Sequence, residues 1–141
     1  MKQHDFKIFR IQVEKQLDQH IPPTMADPYA LQQVFLNMIH NAHQAMEDHG
    51  QSGILTVESQ LDGKTIRIRF QDTGSGIPEE NLQKIFEPLF TTKEVGKGTG
   101  LGLSICYDII QEHQGSIYVA SDSAKGACFV IELPVVTPAA G

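Results

Sequence analysis

The most informative stretch of the sequence is Gly98-Thr99-Gly100-Leu101-Gly102-Leu103-Ser104, in which glycines alternate with larger residues directly before an apolar helical pattern. Glycine lets backbone N–H groups come close to a ligand, and the first turn of a helix offers unpaired donors at the positive end of its dipole. The stretch is therefore a candidate phosphate-binding site. Taken alone, it is equally compatible with a flexible surface loop.

The spacing of these glycines argues against the two commonest nucleotide-binding motifs. The chain contains no G-x-x-x-x-G-K-[ST] sequence and no G-x-G-x-x-G after a strand. Its predicted elements also do not form a strand–helix–strand series. P-loop and dinucleotide-binding folds are therefore disfavoured.

Charge and length limit the possible functions further. The 141 residues include 17 acidic and 11 basic side chains, a net charge of −6, and this length favours one domain. Net acidity argues against binding a nucleic-acid polymer or an anionic membrane, because both need an excess of Lys and Arg. An anionic ligand would have to be held locally by backbone amides. Half of the 12 glycines lie in two clusters suited to this: Gly74, Gly76, Gly96, Gly98, Gly100 and Gly102.

Nothing in the sequence indicates secretion or a membrane span. No apolar run approaches the roughly 20 residues of a spanning helix, and no apolar signal region follows Met1. Cys106 and Cys128 lack metal-ligand spacing, and we expect both to be buried core thiols. The expected location is therefore a reducing cytoplasm.

The hydrophobic pattern predicts an α+β two-layer sandwich, in which helices cover one face of a mixed, mainly antiparallel sheet. The expected strands are residues 7–17, 54–61, 64–71, 116–120 and 127–133, with a short helical segment at 78–86. We assign residues 1–134 to one domain and residues 135–141 to a tail or the start of a linker.

Two longer helices complete this prediction. Asp27 is the expected N-cap of a helix that begins at Pro28 and stops near Gly50. Residues 101–114 are apolar on most sides, so we expect a buried helix there, ended by Gly115.

Two asparagines and one aspartate are the candidate polar residues. Asn37 and Asn41 are four residues apart on the first helix, at the edge of its apolar stripe, where buried amides are costly unless they are used. An amide oxygen suits Mg²⁺, although such pairs commonly just face water. Asp72 ends an apolar strand, where it could accept a hydrogen bond from an exocyclic amine or simply form a turn.

Four motifs in order carry a resemblance to a known family. They are residues 31–42 around the two asparagines, 72–77 from Asp72 to Ile77, 85–93 from Ile85 to Lys93, and 98–104. With them, residues 7–133 closely resemble the catalytic and ATP-binding domain of two-component sensor histidine kinases. That domain belongs to the GHKL superfamily of gyrase B, heat-shock chaperone ATPases and MutL. The resemblance implies a Bergerat-type sandwich with ATP between the asparagine-bearing helix and a mobile lid.

The resemblance also implies roles for single residues. Asn41 matches the Mg²⁺ ligand, Asn37 matches a catalytic asparagine near the phosphates, and Asp72 matches the aspartate that reads adenine. Hydrolytic relatives carry a glutamate at the position of Asn37, and an amide cannot act as a general base, so transfer is favoured over hydrolysis. Lys93 and Lys97 are implied phosphate contacts, Lys93 with a catalytic role. The other implied nucleotide-lining residues are Gly74, Gly76, Ile77, Phe86, Thr92, Gly98, Thr99, Gly100, Leu101, Gly102 and Leu103.

Gln44 departs from the family pattern, because many members have a basic residue there.

The resemblance implies that the domain binds Mg·ATP and transfers the γ-phosphate to a histidine on a separate phosphoacceptor helical hairpin. A response regulator is then an indirect partner. His4 is a poor acceptor candidate, because it lies only 33 residues before Asn37, too few for such a hairpin. The domain is expected in the cytoplasm, alone or as part of a membrane-bound sensor.

Three other functions remain open from the sequence. The first is a GHKL ATPase that hydrolyses ATP, which Asn37 argues against. The second is a serine-phosphorylating anti-sigma kinase, which shares this fold. The third is a module that binds nucleotide without transferring phosphate.

Overall fold

The computed structural model describes residues 11–17, 24, 26–48, 53–74, 76–77, 79–82, 84–87, 102–120 and 126–136. Its elements are β1 (Ile11–Leu17), α1 (Pro28–Asp48), β2 (Gly53–Asp62), β3 (Thr65–Gln71), a 3₁₀ turn (Glu79–Asn81), α2 (Gly102–Glu112), β4 (Ser116–Ala120) and β5 (Cys128–Pro134). The strands form one sheet in the order β1-β2-β3-β5-β4. Strands β1 and β2 are parallel, and every other neighbouring pair is antiparallel. The sheet is therefore mixed and mainly antiparallel, as predicted.

Helix α1 begins at the predicted residue with the predicted cap. The Asp27 side-chain oxygen Oδ1 accepts hydrogen bonds from the backbone N–H groups of Tyr29, at 3.0 Å, and Ala30, at 3.2 Å. Such a cap typically stabilises a helix by about 1 kcal/mol. One apolar residue in each turn is then buried against the sheet: Val34, Met38, Ala42 and Met46. Gly50, the predicted stop, lies outside the described residues.

Helix α2 differs from the prediction in two respects. It is not buried on most sides, because Ile105 is 38% and Tyr107 40% exposed, while Cys106 and Ile110 face the core. The left-handed residue after the helix is Gln114, with φ 60°, and not Gly115.

Gly115 has a packing role instead. A Cβ at this position would lie 2.3 Å from the Glu132 carbonyl oxygen. The glycine thus lets the chain leave α2 directly against β5.

The core lies between the two helices and one face of the sheet. Phe70, Phe129 and Ile131 project from the central strands into it, and Cys106 joins them at 0% exposure. Cys128 is only half-buried, so the expectation of a core thiol is correct for Cys106 alone. Within the described ranges, neither helix is long and apolar enough to cross a membrane.

Candidate functional site

The Asp72 carboxyl is fixed at the end of β3. The side chain is 2% exposed, and its Oδ1 accepts backbone N–H groups from Gly74 at 2.9 Å and Ala127 at 3.1 Å. The Asp72 backbone N–H in turn donates to the Ala127 carbonyl at 2.9 Å. The residue is thereby held between the turn after β3 and the residue before β5. Neither side-chain hydrogen bond occupies the second carboxyl oxygen, Oδ2.

The environment of this carboxyl opposes its charge. Burial raises the pKa of Asp72, and the N–H groups of Ala127 and Gly74 lower it by less. No salt bridge to Asp72 occurs within the described part of the chain. A buried carboxyl with a raised pKa and no cationic partner is more typical of a binding or catalytic position than of a structural one.

Two glycines allow the chain to pack around Asp72. Gly126 has φ 96°, and a Cβ there would lie 2.2 Å from the Asp72 carbonyl oxygen. A Cβ at Gly74 would lie 2.8 Å from the carbonyl oxygen of Ala45 in α1. The close approach that Gly74 makes in the structure is therefore to α1. Gly76 adopts φ 78°, which is easily accessible only to glycine.

The two asparagines lie on the face of α1 that runs toward Asp72. Asn37 and Asn41 are both half-buried. The side-chain nitrogen of Asn37, Nδ2, lies 3.5 Å from the Gly102 carbonyl oxygen and 3.5 Å from the Cys106 sulfur. The first asparagine is therefore joined to the first residue of α2.

One face of α1 thus connects the start of α2, Asn41 and the turn beside Asp72. Asn37 contacts the start of α2, and Ala45 contacts Gly74 beside Asp72. The helical rise places these two contacts about 12 Å apart, with Asn41 midway between them on the same face. Gln44, half-buried, lies on the flank of this face.

The remaining described candidates lie around this arrangement. Gly102 and Leu103 form the first turn of α2 and are half-buried. Ile77 packs against the core. The Phe86 ring packs at a tilt against Tyr107 of α2, with centroids 5.9 Å apart, and edge-on against Phe129 of β5, at 6.3 Å. Phe86 is thereby held between α2 and β5.

Seven candidates lie outside the described residues and stay predictions. They are Thr92, Lys93, Lys97, Gly98, Thr99, Gly100 and Leu101.

The amide oxygen of Asn41 is a ligand of the kind that Mg²⁺ takes from proteins. Among the described residues, no three His, Cys, Asp or Glu side chains form a group that could hold a metal. Mg²⁺ commonly takes one or two protein oxygens and completes its shell with water and phosphate oxygens. A single amide oxygen from Asn41 is consistent with that pattern.

Sequence reasoning missed two contacts that join α1 to α2. One is the contact between Asn37 and Cys106. The other is His113, whose Nε2 accepts the Asp27 backbone N–H at 3.0 Å while Nδ1 lies 2.8 Å from the Ile109 carbonyl oxygen. This arrangement requires the neutral ring with the proton on Nδ1, because a carbonyl only accepts. His40 and His43 are exposed.

Comparison with protein families matches the greater part of the chain. The model described as histidine kinase-, DNA gyrase B-, and HSP90-like ATPase matches residues 26–137. Sporulation kinase E of Bacillus subtilis (strain 168) is 43% identical over 125 residues, 89% of this chain and 16% of that protein. Sensor histidine kinase ZraS of Escherichia coli (strain K12) is 42% identical over 125 residues, 89% of this chain and 26% of ZraS. The chain therefore spans about a quarter or less of these relatives.

Solved structures agree with this match. The nucleotide-free catalytic domain of histidine kinase ThkA has a TM-score of 0.76 and 36% identity, covering 90% of this chain and 82% of that one. Full-length ShkA in complex with AMPPNP has a TM-score of 0.77 and 30% identity over 92% of this chain and 27% of ShkA. ThkA in complex with response regulator protein TrrA has a TM-score of 0.72 and 33% identity, covering 89% and 34%. The predicted fold class is confirmed.

Proposed function

This chain belongs to the family of histidine kinase-, DNA gyrase B- and HSP90-like ATPases, and we propose that it is a histidine kinase catalytic domain that binds Mg·ATP and transfers its γ-phosphate to a histidine of a separate phosphoacceptor hairpin. The observation that carries the proposal is the shared face of α1. It joins a buried carboxyl that has no cationic partner among the described residues to a helix start suited to anions. This arrangement supports a ligand with a base at one end and phosphates at the other.

Asp72 binds the adenine end in this proposal. Its Oδ2 accepts the exocyclic amine of adenine, while Oδ1 stays bonded to Gly74 and Ala127. A carboxylate repels phosphate, so Asp72 and the triphosphate belong at opposite ends of the α1 face. A base without an amine at this position would leave the buried carboxyl without its ligand partner, which costs binding energy.

The triphosphate lies toward the start of α2. Backbone N–H groups of the first turn face the phosphates, with Lys93 and Lys97 as side-chain contacts. Asn41 holds Mg²⁺, which would neutralise charge on the transferring phosphoryl group. This grip depends little on the net charge of the chain, which is −6.

Transfer is favoured over hydrolysis by the residue at position 37. The Asn37 amide is far too weak a base to activate water. An imidazole nitrogen of the acceptor is itself the nucleophile: its bond to the γ-phosphorus forms as the bond from that phosphorus to the β,γ-bridging oxygen breaks, and ADP leaves. Catalysis is then mainly positioning and charge neutralisation.

The proposed partners are inferred from the relatives, which are much longer than this chain. The chain covers 16% of sporulation kinase E and 26% of ZraS, so the acceptor histidine belongs to another domain in our proposal. ThkA has been solved with a response regulator, which supports such a protein as the next phosphate acceptor. We propose a cytoplasmic location for the domain.

The test combines this chain with a separate acceptor hairpin and γ-labelled ATP. We expect Mg²⁺-dependent label on the hairpin that is lost in acid and kept in base, as phosphohistidine is, and no label on a hairpin whose histidine is replaced by alanine. Acid-stable label on serine would support the anti-sigma kinase instead, and release of inorganic phosphate without the hairpin would support an ATPase. Nucleotide binding without either product would leave only a binding module.

A further inference from the structure

Cys106 lies directly beneath the first candidate asparagine. Its side chain is 0% exposed, and its sulfur lies 3.5 Å from Asn37 Nδ2 and 4.0 Å from the Val34 carbonyl oxygen. Burial raises the pKa of the Cys106 thiol, while the hydrogen bond from Asn37 lowers it by less. The thiol is therefore neutral. It donates to Val34 and accepts from Asn37.

These contacts determine which end of the Asn37 amide faces α2. The Gly102 carbonyl oxygen, also 3.5 Å from Nδ2, can only accept a hydrogen bond. The nitrogen end of the amide must therefore face α2. A primary amide carries two N–H groups, one for Gly102 and one for the sulfur. The amide oxygen is at the other end of the group, turned away from α2.

We propose that Cys106 is a positioning residue, which holds the Asn37 amide so that its oxygen is presented to bound Mg·ATP. The inference rests on the proposed function. The Asn37 amide has two acceptors on α2, the Gly102 carbonyl oxygen and the Cys106 sulfur. If the sulfur is removed, only the Gly102 contact remains, and the Asn37 amide can rotate more freely. Binding of Mg·ATP must then restrain that freedom, which weakens affinity.

Two substitutions separate positioning from packing. Cys106→Val replaces the thiol with a slightly larger apolar group that offers no acceptor, whereas Cys106→Ala leaves a space and also offers no acceptor. A packing role predicts that the two variants are impaired to different extents, because one overfills and the other underfills the same buried site, and that these losses persist when Asn37 is alanine. Positioning predicts that both variants bind Mg·ATP about 3- to 10-fold more weakly, the range of one neutral hydrogen bond. Ile110→Val is the matched control, because Ile110 is equally buried on α2 without a hydrogen bond to Asn37, and we expect unchanged affinity.

The experiment uses calorimetric Mg·ATP titration of all variants, with circular dichroism to verify folding. The loss in Cys106→Val should disappear in an Asn37→Ala background, because the positioned group is then absent. NMR of the nucleotide-free protein should show that the Asn37 side-chain amide protons, assigned by their loss in Asn37→Ala, shift and exchange faster with water in Cys106→Val.

Unchanged affinity and an unchanged Asn37 amide signal in Cys106→Val would overturn the proposal. A loss of the same size in the Asn37→Ala background would also overturn it and indicate packing. If the unsubstituted protein fails to bind Mg·ATP, the proposed function is wrong, and the NMR comparison alone decides whether Cys106 restrains the Asn37 amide.

Discussion

The Asp72 carboxyl and the Asn37 amide lie near two points of one face of α1 that are about 12 Å apart, and they are held by different kinds of contact. Backbone N–H groups at 2.9 and 3.1 Å hold Asp72, which is 2% exposed. Asn37 is half-buried, and its two contacts, both at 3.5 Å, are to the first two turns of α2. The proposed adenine end is thus built by the strands and turns of the fold itself. The proposed phosphate end depends on how α2 packs against α1, and a change in that packing would alter the contacts of Asn37 directly.

The largest expected effect comes from Asn41, which lies midway between Asn37 and Ala45 on this face of α1. Asn41→Ala removes the amide oxygen assigned to Mg²⁺, so Mg²⁺-dependent transfer to the acceptor hairpin should be abolished. His40→Ala, the exposed neighbour on the same helix, is the control and should keep full activity. Labelled-ATP transfer assays at several Mg²⁺ concentrations measure this. Normal transfer by Asn41→Ala would remove Asn41 as the metal ligand.

Gly126→Ala should destabilise the fold, because it disturbs the backbone that packs against Asp72. The added Cβ would lie 2.2 Å from the Asp72 carbonyl oxygen, at a φ of 96° that alanine resists. We expect a loss of about 3 kcal/mol or more in the free energy of unfolding, measured by urea denaturation. Gly63→Ala is the control, because Gly63 has φ 64° but no atom within 4 Å of the added Cβ. That control should lose only about 1 to 2 kcal/mol. Equal losses in both would mean that Gly126 provides backbone freedom alone.

His113→Ala should loosen the contact between α1 and α2. The Asp27 N–H loses its acceptor at 3.0 Å, which should cost about 1 kcal/mol in the free energy of unfolding. Gln111→Ala, an exposed position near the end of α2, should cost less than half as much. The Asn37 side-chain amide signal should also shift in His113→Ala, because both contacts depend on how the helices pack. A stable variant with an unmoved amide signal would show that the two helices are held independently of His113.

The smallest expected effect is the pH dependence of stability that the burial of Asp72 causes. Because burial raises the folded pKa of Asp72 above its usual value of 3.8, the folded state binds its proton more tightly than the unfolded state. The stability from this group is full below the unfolded pKa and is lost as pH rises through the folded pKa. Urea unfolding of nucleotide-free protein between about pH 3 and 7 should therefore show a fall that Asp72→Asn lacks. A wild type that gains stability relative to Asp72→Asn with rising pH would contradict the raised pKa.

Much of the fold could be predicted because its signals are local. The Asp27 cap and the apolar stripe of α1 each depend on residues close in sequence. The burial of α2 could not be predicted in this way. Its apolar composition does not say how much surface the sheet and α1 cover, and Ile105 and Tyr107 remain exposed.

The site was predicted as a set of residues but not as a set of contacts. The motifs indicated Asn37 and Asp72, yet one partner of Asn37 is Cys106, 69 residues away. His113, which follows α2, is 86 residues from Asp27, which caps α1, and no local pattern pairs the two. Gly115 was expected to end a helix, whereas it is the Glu132 carbonyl across the sheet that excludes a side chain there. Such pairings arise from tertiary packing, which local patterns do not encode.

The most direct test of the central claim compares Mg·ATP with the triphosphate of purine riboside, which lacks the adenine amine, by calorimetric titration of the wild type and Asp72→Asn. The wild type should prefer ATP by about 10-fold or more, and Asp72→Asn should lose most of this preference while binding the purine triphosphate as the wild type does. If Asp72→Asn weakens both nucleotides equally, or if the wild type does not distinguish them, Asp72 does not bind the adenine amine and the proposed orientation of ATP along α1 is wrong.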